Sequence, residues 1–164
     1  MTTRKTVTEI LMQSPIGVLR LVARDGALTA IHLEDEPPGV PPEGTHPVLD
    51  VARRQLEEYF AGTRQAFDLP LEPVGTPFER GVWRALLNIT LGDTTSYGVL
   101  AAGLGRATAA RAVGAANRKN PLAIVVPCHR VVGASGALTG YAGGLARKAW
   151  LLAHERRMRG DDGA

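Results

Sequence analysis

Three short apolar-rich stretches open the chain: Thr6 to Met12, Val18 to Val22 and Ala27 to Leu33. They are separated by Ser14-Pro15-Ile16-Gly17 and by Asp25-Gly26, so the pattern predicts short antiparallel strands joined by tight turns. Glu34 to Pro47 has the proline, glycine and acid of an exposed connection. Beyond it Val48, Val51, Ala52, Leu56, Tyr59 and Phe60 recur at helical spacing, with Arg53, Arg54, Glu57 and Glu58 on the solvent side and Gly62 as the stop. Phe67 to Leu71 reads as a further extended piece, and Glu72 to Pro77 as a linker. The domains expected are 1–75 and 76–164.

The second half reads differently. Phe78, Val82, Trp83, Leu86 and Ile89 predict an amphipathic helix closed by a turn at Gly92. Thr95 or Ser96 caps the next helix, with Val99, Leu100 and Leu104 as its apolar positions. After Gly105-Arg106 a fourth helix runs from about Thr108 to Arg118, and two short helices around a glycine-containing turn suggest a helix-turn-helix. Leu122 to Val126 is an apolar, partly β-branched run that reads as a buried strand. The last helix, about Leu145 to Arg157, is expected to turn Leu145, Ala149, Leu152 and Ala153 to the core, with Trp150 beside them.

Charge divides the chain further. Residues 1–78 carry 7 basic and 11 acidic side chains, a net of −4, and residues 79–164 carry 12 and 5, a net of +7. Any attraction to polyanions therefore lies in the second half, although a basic solvated surface would look the same. No apolar run approaches the roughly 18 to 20 residues that span a bilayer, and Met1 to Ile10 lacks the apolar core of a secretory signal. A cytoplasmic protein with no membrane partner is expected, and 16 Arg against 3 Lys suits a GC-rich bacterial genome. One cysteine permits no internal disulfide and no cysteine-rich structural zinc site.

Ala109 to Ala116 has almost no side-chain bulk apart from Arg111 and Val113. Such a helix brings its backbone close to a neighbour, which serves tight helix packing as well as it serves a nucleic acid. It lacks the long polar side chains of a major-groove reader, and one arginine on a slim helix suits the minor groove, with Arg106, Arg118, Lys119 and Arg130 available for phosphates. Cys128 follows the apolar run within Pro127-Cys128-His129-Arg130. An isolated cysteine there is most often a buried structural thiol. His129 offers a base for its proton, and a carboxylate on the other imidazole nitrogen would orient the ring. Glu155 is the best candidate, against the equal reading of a surface acid paired with Arg156 or Arg159.

Pro127-Cys128-His129-Arg130-Val131 resembles the active-site signature of the O6-alkylguanine-DNA alkyltransferases. Ser96-Tyr97, Arg111-Ala112-Val113-Gly114, Asn120-Pro121, Gly140-Tyr141, Gly143-Gly144 and Leu151 to Glu155 extend the resemblance over residues 76–155, and residues 8–75 resemble the family's variable N-terminal domain less specifically. The resemblance implies an α/β (α+β) fold: a ribonuclease-H-like domain with a small antiparallel sheet, then a helical winged-helix-like domain with a helix-turn-helix. It implies irreversible, single-turnover transfer of an alkyl group from O6-alkylguanine, and from O4-alkylthymine, in double-stranded DNA to Cys128. The protein would be a monomer in solution with the option of cooperative binding on DNA.

By the same resemblance Cys128, His129, Glu155 and Tyr97 are catalytic. Arg111 is the finger that fills the stack when the nucleotide is flipped out, and Ala110, Gly114, Ala115, Arg118, Asn120 and Arg130 lie on the DNA. Asn120 also braces the hinge between the recognition helix and the active-site strand. Tyr141, Ala142 and Val131 line the base pocket. No metal or organic cofactor is implied. Ala123 and Ala142 stand where some members have proline and serine. The rivals are a non-catalytic alkyltransferase-like protein, which lacks the reactive cysteine, a winged-helix regulator and a cysteine hydrolase.

Overall fold

The computed structural model describes residues 7–34 and 46–160. The strand start expected at Thr6 and most of the connection expected over 34–47 lie outside these residues. The chain divides into two compact units, Met1–Val74 and Gly75–Ala164.

In the first unit β1 (Val7–Ser14), β2 (Gly17–Arg24) and β3 (Ala27–Glu34) form an antiparallel meander in the order β1-β2-β3. Asp25 and Gly26 both take positive φ, 51° and 84°, the backbone that a two-residue hairpin needs. Leu19, Leu21 and Ala23 alternate along β2 with no exposure, so one face of the sheet is fully covered. α1 (Pro47–Ala61) lies against all three strands with Val48, Leu49, Ala52, Leu56 and Tyr59. It starts one residue inside the expected loop, because Pro47 fits the first turn of a helix, where no backbone N–H is needed, and it stops at Gly62 in the left-handed conformation. Leu71 runs parallel beside Leu28, with the Leu28 N–H donating to Pro70 O and the Glu72 N–H to Leu28 O.

The second unit is helical. α2 (Pro77–Leu86) begins with a reciprocal cap: the Glu79 N–H donates to Thr76 Oγ1 and the Thr76 N–H to the Glu79 carboxylate. Its Trp83 donates from Nε1 to Ala116 O at 2.8 Å, fastening α2 to the end of α4. α3 (Tyr97–Gly103), capped by Ser96, and α4 (Ala110–Arg118) are the expected helix-turn-helix, with Gly105 at φ 72° in the connection. β4 (Thr95–Ser96) pairs in parallel with β5 (Val131–Val132), and α5 (Leu145–Arg159) closes the unit.

Two expectations fail here. Residues 122–126 are buried but form a tight turn rather than a strand: the Val125 N–H donates to Ala123 O, the Val126 N–H to Leu122 O, and Ile124 sits at φ 73°. A β-branched residue in that region is strained, by roughly 1–3 kcal/mol, and here it lies four residues before the cysteine. The buried stripe of α5 is also rotated from the expected one. It runs through Lys148, Leu151, Leu152 and Glu155, while Leu145 and Ala149 face outward.

Candidate active site

The turn over 122–126 delivers Cys128, His129 and Arg130 as a single 3-10 turn. Cys128 is buried, and its N–H donates to Val126 O at 2.8 Å. Asn120, at the exit of α4, holds the preceding turn: its Nδ2 donates to Val126 O at 2.8 Å, and its Oδ1 accepts the Leu122 N–H at 2.9 Å. Asn120 was expected both to brace this stretch and to lie on the DNA; its side-chain bonds here go to the backbone of Leu122 and Val126. Asn117, one turn earlier on α4 and almost fully buried, donates to Cys128 O at 3.3 Å. The sequence reading missed it, since an asparagine on a helix of small residues carries no signal that its side chain points inward.

α5 approaches the same turn with its charged stripe. Glu155, fully buried, accepts from His129 Nε2 at 2.7 Å and from Arg130 through two bonds, Nε at 2.7 Å and Nη2 at 3.0 Å. The Arg130 Nη1 donates to Ile89 O at 2.5 Å. Arg130 was expected on phosphate and is instead interior, at 7 % exposure. The physical reason is Glu155: a carboxylate removed from water needs a permanent cation, and a bidentate guanidinium supplies both charge and geometry.

The electrostatics follow from this pairing. Burial works against the Glu155 carboxylate, but the bonds from His129 and Arg130 outweigh it and hold its carboxyl well below the usual range. Arg130 already balances that charge, so burial dominates at His129 and pushes its pKa down despite the pull of Glu155. Burial thus favours the neutral imidazole at His129. Its proton is on Nε2, where it meets Glu155, which leaves Nδ1 as a buried acceptor with no partner among the described residues. Burial pushes the Cys128 thiol up, opposed by a hydrogen bond from Asn120 and by the charge of Lys148. A protonated thiol and an open base on consecutive residues can generate a thiolate when a substrate displaces solvent.

A cleft of about 510 Å³ is lined by Tyr97, Ala110, Arg111, Gly114, Arg118, Thr139 and Gly140. Five of the expected residues thus meet on one surface: Tyr97 from α3, and Ala110, Arg111, Gly114 and Arg118 from α4. Arg111 and Arg118 are exposed there, and Ala115 is half-buried on the same helix. The Tyr97 hydroxyl donates to Thr139 O at 3.2 Å. A Cβ on Gly114 would lie 3.5 Å from the Tyr97 ring, an ordinary van der Waals contact, so α4 and the tyrosine are neighbours here. Cys128 is not part of this lining.

Of the expected pocket residues, Tyr141 is half-buried, its hydroxyl is buried with no partner among the described residues, and burial raises its pKa. Ala142 is exposed. Val131 offers no surface, because it is fully buried in β5 opposite Thr95. Among the described residues no cluster of three or more His, Cys, Asp or Glu side chains could hold a metal, and no helix is long and apolar enough to cross a membrane.

Comparison with known proteins agrees with this architecture. Residues 77–157 match the family model of the 6-O-methylguanine DNA methyltransferase DNA binding domain, and residues 7–73 that of its ribonuclease-like domain. The methylated-DNA–protein-cysteine methyltransferase of Mycolicibacterium paratuberculosis is 52% identical over 149 residues, covering 89% of this chain and 90% of the relative. That of Mycobacterium leprae is 48% identical over 150 residues, covering 90% and 91%. The crystal structure of Mycobacterium tuberculosis OGT in complex with DNA superposes with a TM-score of 0.84 at 44% identity, over 92% of this chain and 94% of that one.

Proposed function

The chain belongs to the 6-O-methylguanine DNA methyltransferase family, and from that premise we propose that Cys128 accepts the alkyl group of O6-alkylguanine in double-stranded DNA, once per molecule. The observation that carries this assignment is the His129–Glu155 bond of 2.7 Å, which fixes the imidazole so that its free nitrogen can take the proton of the chain's only cysteine. The protein is a direct-reversal DNA repair enzyme, a methylated-DNA–protein-cysteine methyltransferase. A monomer in the bacterial cytoplasm suffices for this chemistry, since every proposed group comes from one chain.

A base stacked in a duplex cannot present its O6 substituent to a buried thiol, so the nucleotide leaves the stack. The slim α4 enters the minor groove with Ala110, Gly114 and Ala115 against the backbone, Arg111 occupies the gap, and Arg118 meets phosphate. Tyr97, beside the same cleft, holds the flipped nucleotide. The basic charge of residues 79–164 draws the protein to DNA without reading sequence.

In the pocket, the Cys128 proton passes to His129 Nδ1, directly or through one water. The sulfur attacks the alkyl carbon in line; the C–S bond forms as the C–O bond breaks, and guanine leaves with the electron pair on O6. A proton from the Tyr97 hydroxyl completes the leaving group and the proton taken up by His129 returns to Tyr97 through solvent, while Tyr141 and the 140–144 segment bound the base. Thymine carrying an O4-alkyl group presents the same alkyl carbon and follows the same route. The product is a thioether with no activated carbonyl for water to attack, unlike the acyl-enzyme of a cysteine hydrolase.

Incubation with duplex DNA bearing O6-methylguanine, followed by intact-mass and peptide analysis, tests the assignment. The expected result is a gain of one methylene located at Cys128. Cys128→Ser should abolish transfer while retaining binding to the lesion duplex. Methylation at any other residue overturns the assignment.

A further inference from the structure

Asn117 uses one end of its side chain and leaves the other open. Its Nδ2 donates to Cys128 O at 3.3 Å, and a carbonyl only accepts, so the amide is fixed with Oδ1 at its free end. That oxygen is buried and has no partner among the described residues, in a residue 1 % exposed. An acceptor removed from water and left unbonded destabilises the fold, so its presence beside the thiol calls for a donor that arrives from outside.

The place of Asn117 on α4 indicates which donor. Ala110, Gly114 and Asn117 follow one another at i, i+4 and i+7 and so form one row along the helix. Ala110 and Gly114 line the cleft, and Asn117 continues the row inward to the residue that carries the thiol. Two other buried polar atoms there lack partners, His129 Nδ1 and the Tyr141 hydroxyl. His129 Nδ1 is the acceptor for the thiol proton, and two acceptors cannot satisfy each other. O6-alkylguanine has no hydrogen on N1, so its exocyclic amine is the one donor on the edge that bears the alkyl group. A base whose alkyl carbon lies at the Cys128 sulfur brings that edge to the residue on which the Asn117 amide is anchored.

We propose that Asn117 is a specificity-determining residue: while Nδ2 holds the Cys128 carbonyl, Oδ1 accepts a hydrogen bond from the exocyclic amine of the flipped O6-alkylguanine. The proposal rests on Cys128 being the alkyl acceptor. O4-alkylthymine has only acceptors on the corresponding edge and leaves Oδ1 unbonded, so the site favours guanine lesions over thymine lesions.

Single-stranded oligonucleotides bearing O6-methylguanine or O6-methylhypoxanthine differ by that amine alone and have no partner strand to leave. Each is incubated with the protein, and methylation of Cys128, the only cysteine, is timed by intact mass. The unaltered protein should react about 10- to 100-fold faster with the guanine. In Asn117→Leu, which removes both ends of the amide, that ratio should fall by about tenfold. Loss of the bond to Cys128 O alone would slow both substrates alike and leave the ratio where it was, so the ratio separates a selecting asparagine from a merely structural one. Asn117→Ala is read in the same way if the larger side chain is not tolerated. Equal rates on the two bases in the unaltered protein overturn the proposal, and so does an unchanged ratio in the variant, the result expected if Oδ1 meets only water. Failure of both oligonucleotides to methylate Cys128 would instead contradict the repair reading.

Discussion

At the scale of the residue, the site is decided by how Glu155 divides its two oxygens. The carboxylate bonds one neutral imidazole and one guanidinium, so a charge that burial alone would expel is retained and sets the tautomer of His129. Glu155→Ala removes the anion and leaves Arg130 as an uncompensated buried cation, for a predicted loss of about 3–5 kcal/mol in urea unfolding. The pH dependence has a definite sign. The folded pKa of Glu155 lies below the ordinary 4.5, so its contribution is present above that value and is lost as pH falls through it toward the folded pKa. The folded pKa of His129 lies below the ordinary 6.5, so the unfolded chain binds the proton first and stability declines as pH falls from that value downward. Unfolding free energy should therefore fall on acidification from about pH 6.5, and in Glu155→Gln the further fall below the ordinary 4.5 of a glutamate should be lost while the His129 part remains. An unchanged slope below that value would show that Glu155 is not the ionised partner.

At the scale of the element, α4 has two different faces. Outward it offers Ala110, Arg111 and Gly114 to the cleft, and inward it sends Asn117 to the Cys128 carbonyl. Arg111→Ala should slow transfer from duplex DNA by about two orders of magnitude, comparable to the few kcal/mol of unstacking that the arginine offsets. Reaction with free O6-benzylguanine, which requires no flipping, should be unchanged. Equal losses on both substrates in single-turnover assays would remove Arg111 from that role. The helix-turn-helix, the cap at Ser96 and the hairpins were legible because each depends on local spacing and turn chemistry. The turn over 122–126 was not: apolar, β-branched residues describe burial, and only the side chain of Asn120, reaching back to Leu122 and Val126, decides that the backbone curls. The phase of α5 was misread for a related reason. Hydrophobicity places Lys148 outside, whereas the carbonyls of Val131 and Thr139 bring it inside, on the same buried side as Glu155. The same cause explains Arg130, which composition assigns to phosphate and Glu155 retains in the interior.

At the scale of the whole molecule, the work is divided between the units. The charge excess, the slim helix, the thiol and its base all belong to the second, Gly75–Ala164, while the first contributes a sheet covered by α1. A thioether offers water no activated carbonyl, and no group among the described residues of the second unit restores the thiol, so the predicted capacity is set by the number of molecules and not by time. The most direct test is a titration with lesion DNA in large excess, counting restored guanines per protein chain and weighing the protein at the end. The predicted result is a plateau at one guanine per chain, with every chain alkylated at Cys128. Continued repair beyond that plateau, with Cys128 recovered as a free thiol, would contradict the account.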